Sequence, residues 1–241
     1  MFASVDIDLQ EGQQVLGDGG SLLWMDGSKD CTHTSLGGMP METECVGGLL
    51  SSIGRCCAGE SCCLNRYTGP GKISLGFSLP GDMMCFAVGP GAGWILSKGA
   101  FVAGSNNIHI SARFAGCCAS MFSGEGPFLT HITCKVWLRV IIASQDGQGM
   151  FYAGGFGSIT RHDIAAGQVF IVDNGLFFAA HEATRLSVAP IGGIKQTCCS
   201  GEGIVMRFNG PCTIFTQSRD PSLFNPIQEK AQIGDATGFG P

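Results

Sequence analysis

The feature of this 241-residue sequence that most constrains its fold is a short Gly-Glu turn that occurs three times. Each copy follows small or apolar residues and precedes an apolar run, and such self-similarity at a long period is typical of a chain built from repeated units. Successive glutamates are 65 and 77 residues apart, so the units differ by insertions in their loops. The three pairs are Gly59-Glu60, Gly124-Glu125 and Gly201-Glu202.

Longer stretches around these turns are also alike. The segment Tyr67–Ser74 aligns with Phe208–Phe215, and each contains a Gly-Pro pair. Three segments that lead into a turn mark the unit starts: Val5–Gln13, Phe77–Asp82 and Ile159–Gln168. We therefore predict three β units at 1–74, 75–150 and 151–221, followed by a C-terminal tail at 222–241.

Strand patterns fill these units. Apolar residues occupy alternate positions in Ile108–Phe114 and Ile132–Val140, which places one face of each strand in a core. Val169–Val172 and Leu176–Ala179 flank Asp173-Asn174-Gly175, a sequence typical of a hairpin turn. No helix longer than two turns is indicated, so we predict an all-β fold with a pseudo-threefold internal repeat.

The Gly-rich stretches are predicted to be turns and loops. Gly89–Gly93 lacks the final Gly and the following helix of a dinucleotide-binding fingerprint, and this stretch and Gly147–Gly157 are the main variable stretches. Gly69–Ile73 fails the phosphate-loop pattern at its first Gly and at its hydroxyl position. Nucleotide binding and hydrolysis therefore lose their usual sequence signatures, and we predict that the protein is not an enzyme.

Composition narrows the choice of partners and compartment. The net charge is -5 and the 14 Lys and Arg residues are dispersed, which disfavours nucleic acid and anionic membranes. The longest apolar run, Val136–Ala143, is too short for a membrane span and contains Arg139, so we predict no integral membrane segment. The acidic N-terminus resembles no signal or transit peptide, and the 13 cysteines are an odd number, so we predict a cytoplasmic location.

Cysteines form the sharpest local cluster. Cys56-Cys57 and Cys62-Cys63 place four thiols in eight residues, but adjacent strand residues point to opposite faces, unlike spaced zinc ligands. The repeat aligns the first pair with Met121-Phe122, which favours a core role for the thiols. We predict no metal and no cofactor. The alternative is that thiols of different units meet in an assembly, and the further pairs are Cys117-Cys118 and Cys198-Cys199.

The recurring glutamates and the histidines are predicted to be structural. One glutamate in each Gly turn suits a carboxylate that accepts backbone N–H bonds better than an acid-base pair, which needs two groups close together. The histidines show no metal-binding spacing along the chain. They are His33, His109, His131, His162 and His181.

The three tryptophans fall on strand patterns. Trp24 and Trp94 are expected to fill cores. Trp137 lies on the otherwise polar face of its strand, beside Lys135 and Arg139, and is therefore the interface candidate.

Taken together, the motifs resemble the altered-inheritance-of-mitochondria protein 24 family, in unbroken order from Val5 to Phe224. The resemblance implies a fold similar to the tryptophan RNA-binding attenuation protein, with three tandem short double-stranded β-helix units per chain and three chains in a ring. It supplies no catalytic residues, and it makes the mitochondrion an alternative location. The matching motifs include Gly19–Met25, Gly59–Ser61, Leu79–Asp82, Gly99–Ala103, Phe122–Gly126, Gly192–Lys195 and Ser200–Gly203.

The sequence thus predicts a non-enzymatic, homo-oligomeric β scaffold or interaction protein, by resemblance one that serves mitochondrial or membrane-complex organisation. Two alternatives stay open. One is a ring protein that binds a small ligand between units, and the other is a thiol- or metal-dependent sensor or enzyme.

Overall fold

A computed structural model describes residues 3–26, 38–45, 63–114, 128–134, 148–190 and 204–224. Within these ranges the chain forms eighteen β-strands and two 3₁₀ turns, at Asn174–Leu176 and Pro221–Phe224, which confirms an all-β fold. The strands are β1 (Ser4–Leu9), β2 (Gln14–Asp18), β3 (Leu22–Met25), β4 (Met41–Cys45), β5 (Cys63–Thr68), β6 (Gly71–Gly76), β7 (Met83–Val88), β8 (Trp94–Leu96), β9 (Phe101–Ser105), β10 (Ile108–Phe114), β11 (Phe128–Cys134), β12 (Gly149–Gly154), β13 (Ile159–Ile164), β14 (Val169–Asp173), β15 (Phe177–His181), β16 (Leu186–Pro190), β17 (Ile204–Asn209) and β18 (Cys212–Gln217).

The same antiparallel pairings recur in three successive groups of six strands. In each group the sixth strand lies between the first and the third, so β6 separates β1 from β3, β12 separates β7 from β9, and β18 separates β13 from β15. The fifth strand lies between the second and the fourth, as β5, β11 and β17 do. We call β1–β6, β7–β12 and β13–β18 the first, second and third groups.

The turn between the first two strands fixes which positions correspond in the three groups. Its closing backbone bond runs from Gln13 N to Gln10 O (3.0 Å) in the first group and from Gln168 N to Ala165 O (3.1 Å) in the third. In the second group the bond joins Ala92 N to the carbonyl of Gly89 (3.2 Å), so Gly89–Gly93 is a turn, as predicted. The first strand of the second group is therefore β7, and the segment Phe77–Asp82, which the sequence aligned with the unit starts, lies before this strand.

Strand pairing joins the groups to one another. The second strand of one group pairs with the third strand of the next, as β2 does with β9 and β8 with β15. The resulting six-stranded sheets have the orders β4-β5-β2-β9-β12-β7 and β10-β11-β8-β15-β18-β13. We call each such pairing a joint. Both sheets run across the predicted unit boundaries, so the sheets do not mark where one unit ends. The unit boundaries therefore stay a prediction.

Two loop predictions are corrected by the strand pairing. β14 and β15 are not a hairpin, because β14 pairs with β17 while β15 lies between β18 and β8. The Gly147–Gly157 stretch contains β12, an internal strand of a six-stranded sheet. Its glycines admit close neighbours, since a Cβ at Gly149 would lie 2.7 Å from Ile108 Cγ2 and one at Gly154 would overlap the Phe77 ring.

Three apolar clusters form the core, and each centres on one group. The first group supplies Tyr67 and Ile73, the second Phe151 and the third Phe208, all of them fully buried. Each cluster also takes side chains from a neighbouring group through the joints, so the core is continuous along the chain.

Candidate interface at two open sheet edges

The joint between the first and second groups shows how two groups fit together. Leu16 lies opposite Gly104, and Gly17 lies opposite Ala103. A Cβ at Gly104 would overlap the Ile108 side chain and lie 3.1 Å from the Cβ of Phe151 on β12, so glycine lets β9 pack closely within its own group. Leu16 is buried in the cluster of the second group.

Polar side chains close one end of this first joint. Asn106 donates from Nδ2 to Gln14 Oε1 across 2.7 Å, and Arg66 donates from Nη1 to the same oxygen at 3.4 Å. Arg66 also forms an ion pair with Glu44 of β4, at 2.8 Å. The joint therefore has an apolar middle and a polar end.

The second joint repeats this arrangement between β8 and β15. Ile95 lies opposite Ala180 and is buried in the cluster of the third group. Ser97 donates its backbone N–H to the carbonyl of Phe178 at 2.8 Å. The register and the buried aliphatic side chain thus correspond to those of the first joint.

A histidine and a glutamate close the polar end of the second joint. His131 Nε2 lies 2.7 Å from Glu182 Oε2, and both side chains are about three-quarters buried. The hydrogen bond with His131 is the main cause of a lowered pKa of Glu182, and the bond with the Gly93 backbone also contributes. The Glu182 backbone N–H donates to Gly93 O at 2.9 Å. This contact tethers the end of β15 to the start of β8.

An open cleft of about 390 Å³ lies beside the second joint. The Trp94 ring lies edge-on to the ring of His181, with centroids 5.8 Å apart, and 6.0 Å from that of Phe215. The cleft combines aromatic faces with a guanidinium group and two threonine side chains. Its polar lining residues are Arg161, His181, Thr184 and Thr213.

The clusters of the outer groups each lack one contribution that the middle cluster receives. The middle cluster takes Leu16 from the preceding group and Phe178 from the following one. The first cluster takes Val102 and Ala103 from the following group, and the third takes Ile95 from the preceding group. Among the described residues, the first cluster has no member from a preceding group and the third none from a following group.

The corresponding strands end two sheets. The third strand of the first group is β3, which ends the sheet β1-β6-β3, and the second strand of the third group is β14, which ends the sheet β14-β17-β16. In the part of the chain that the structure describes, these are the two joint-forming strands that make no joint. We call β3 and β14 the open edges.

Side chains on the open edges are exposed where their counterparts are buried. Leu23 of β3 is 58% exposed, whereas Val102 and Phe178 at the same position of the other groups are 1% and 0% exposed. Ile171 of β14 is also 58% exposed, whereas Leu16 and Ile95 are 3% and 0% exposed. The backbone N–H and C=O groups of an apolar edge strand are a template for another strand. Trp24 and Val169 complete the exposed apolar set on these edges.

The exposed position of Trp24 corrects the expectation that it fills a core. Trp94, by contrast, is half-buried and contacts Phe86 with ring centroids 4.7 Å apart. The sequence signal that we missed is the run Leu22–Met25, in which four successive large apolar residues leave no polar face for solvent.

The site residues predicted from the repeat lie outside the described residues. These include all three Gly-Glu pairs, Gly59-Glu60, Gly124-Glu125 and Gly201-Glu202, as well as the interface candidate Trp137 and most of the paired cysteines. Among the described cysteines, Cys85 and Cys212 are thiols that form no disulfide.

Other features of the described ranges concern metals and membranes. His162 Nε2 lies 2.9 Å from Thr216 Oγ1, and His131 is paired with Glu182, so these two histidines contact separate partners. No group of three metal-binding side chains occurs within the described ranges. None of the helical segments described there is long and apolar enough to cross a membrane.

The fold and its edges define a class of repetitive all-β proteins. Successive six-stranded groups share sheets in this class, and two of the joint-forming strands are open edges. Residues 1–219 match the family described as mitochondrial biogenesis AIM24, and the chain belongs to this family. A curated relative, the uncharacterised protein M6_Spy0233 of Streptococcus pyogenes serotype M6, is 26% identical over 227 residues, which cover 92% of this chain and 84% of the relative.

A solved structure shows a similar fold. The crystal structure of protein SPYM3_0169 from Streptococcus pyogenes superposes with a TM-score of 0.67 over 92% of this chain and 91% of that protein, at 23% identity.

Proposed function

We propose that the protein is a non-enzymatic β scaffold that works as a homo-oligomer. The observation that carries this proposal is the pair of open edges, where Leu23 and Ile171 are exposed although the same positions are buried in the joints. Burial of a large aliphatic side chain stabilises an interface by about 1.5–3 kcal/mol, so the exposed edges favour association. The proposed oligomer has three copies, as the family resemblance implies.

The net charge supports a protein partner over a nucleic acid. The net charge of -5 disfavours binding to phosphate backbones, so the proposed role is organisation of proteins. The proposed location is the cytoplasm. By family resemblance, the proposed role of the scaffold is in mitochondrial or membrane-complex organisation. The family description, mitochondrial biogenesis AIM24, makes the mitochondrion the alternative location.

Light scattering of the full chain over a concentration series tests the proposal. The expected result is a mass that is a multiple of 25.1 kDa for the natural protein and 25.1 kDa for Leu23→Asp. Met150→Asp is the matched control, because Met150 is 53% exposed but lies on the internal strand β12. A natural protein that stays monomeric at all concentrations would contradict the proposal.

The cleft beside the second joint supports a second candidate function, the binding of a small ligand. Its aromatic Trp94 and Phe215 suit a small planar ligand, and Arg161, which is paired with Asp163 at 2.9 Å, adds a polar group. Native mass spectrometry of gently isolated protein would reveal such a ligand as additional mass, which Arg161→Ala should remove. An unmodified mass in every preparation would count against this candidate.

A further inference from the structure

We infer that β14 of one copy pairs antiparallel with β3 of the next copy and so forms a third joint. This inference rests on the proposed homo-oligomer and names the surfaces that assemble it. In each internal joint, the second strand of one group pairs with the third strand of another. β14 is a second strand and β3 is a third strand, and neither forms a joint within the described chain. The partner is therefore a second copy of this chain.

The internal joints fix the register of the proposed pair. In them Leu16 lies opposite Gly104 and Ile95 opposite Ala180, with the strands antiparallel. The corresponding positions on the open edges are Ile171 of β14 and Met25 of β3, by their pairing with β17 and β6. Ile171 therefore lies opposite the next copy's Met25, and Val172 lies opposite its Trp24.

The contact completes both outer clusters of the core. Leu16 and Ile95 each enter the cluster of the following group, so Ile171 enters the first cluster of the next copy, which includes Tyr67 and Ile73. Leu23 corresponds to Phe178, which packs in the preceding cluster, so it covers the third cluster of the neighbouring copy. The side chains that are exposed in one chain are the ones that this joint buries.

The backbone of the third joint follows from the second. Ser97 donates its N–H to the carbonyl of Phe178. Ile95 and Ala180 lie two positions along from this bond, so they form a hydrogen-bonded pair of the antiparallel ladder. Ile171 and Met25 hold the corresponding positions, so the Ile171 N–H donates to the Met25 carbonyl of the next copy. A joint of two different surfaces is heterologous, and such contacts either close into a ring or continue as a filament. The contact is therefore directional along the assembly.

A mixing experiment with two edge variants tests this pairing. Leu23→Asp blocks β3, and Ile171→Asp blocks β14, while each substituted side chain is exposed in the single chain. We expect each variant alone to be monomeric by native mass spectrometry, because every possible joint then contains one blocked edge. An equimolar mixture should form a 1:1 heterodimer, since each variant retains the edge that the other needs.

Other outcomes separate the two proposals. A monomeric natural protein would contradict the homo-oligomer itself. A natural oligomer with dimers of Ile171→Asp alone would indicate β3–β3 pairing, and dimers of Leu23→Asp alone would indicate β14–β14 pairing. Either result, or a mixture of folded variants that stays monomeric, would overturn the third joint. Circular dichroism of each variant verifies that its β structure is intact.

Discussion

Truncation of the same aliphatic residue at an internal joint and at an open edge should have different consequences. Ile95 and Ile171 hold corresponding positions, but Ile95 is fully buried within the chain whereas Ile171 is 58% exposed. Ile95→Ala removes a packed side chain and leaves a cavity, which costs about 2–5 kcal/mol of folding stability. For a chain of this size, each kcal/mol lowers Tm by about 2–4 °C.

Ile171→Ala should instead act on association. Less than half of the Ile171 side chain is buried in the single chain, so its loss costs about 1 kcal/mol or less of folding stability. The rest of the side chain becomes buried in the third joint, and loss of about 1.5 kcal/mol there raises the dissociation constant about tenfold.

Denaturant titrations at protein concentrations below the dissociation constant measure folding stability. Sedimentation over a concentration series measures association. We expect Ile95→Ala to lower the free energy of unfolding strongly and Ile171→Ala to weaken the assembly. An unchanged dissociation constant for Ile171→Ala, or an equal loss of folding stability in the two dissociated variants, would contradict this expectation.

Three further predictions concern the internal joints and the thiols. The pKa of Glu182 is lowered from its ordinary value of 4.5, so the ionised carboxylate stabilises the fold at pH values above 4.5. In denaturant titrations, the natural protein should therefore lose its stability advantage over Glu182→Gln as the pH falls through the lowered pKa. A difference in stability that does not depend on pH would contradict the His131–Glu182 contact. Gly104→Ala should lower Tm by several degrees in a thermal scan, because its Cβ would overlap Ile108 and lie 3.1 Å from Phe151 Cβ. An unchanged Tm would argue against close packing of β9, a strand of the first joint, against β12. Peptide mapping after brief alkylation should find Cys85 modified before Cys212, since Cys85 is exposed and burial raises the pKa of Cys212; the opposite order would contradict this.

The strand content and part of the repeat could be predicted from sequence because they depend on local patterns. Alternation in Ile108–Phe114 correctly predicted β10, and the likeness of Tyr67–Ser74 to Phe208–Phe215 correctly aligned β5 and β6 with β17 and β18. Both segments place their residues in the same register against the neighbouring strands. Local sequence fixes these features because side chains alternate along a strand.

Long-range pairing explains what the sequence could not predict. The Asn174-Gly175 pair indicated a hairpin, but β15 finds its partners in β18 and β8, so the preference of a short turn was overridden by distant strands. Gly149 and Gly154 suggested a loop, because the sequence does not show that they make room for Ile108 and Phe77. Trp24 was expected in a core, because the sequence does not show that its strand lacks a neighbour.

Amide hydrogen exchange at single-residue resolution tests the third joint most directly. The Ser97 N–H, bonded to Phe178 O within the chain, is the internal reference and should be protected in all variants. We predict that the Ile171 N–H is protected in the assembled natural protein and exchanges rapidly in the Leu23→Asp monomer. Equal exchange of the Ile171 amide in the natural oligomer and in the folded variant would contradict pairing between β14 and β3.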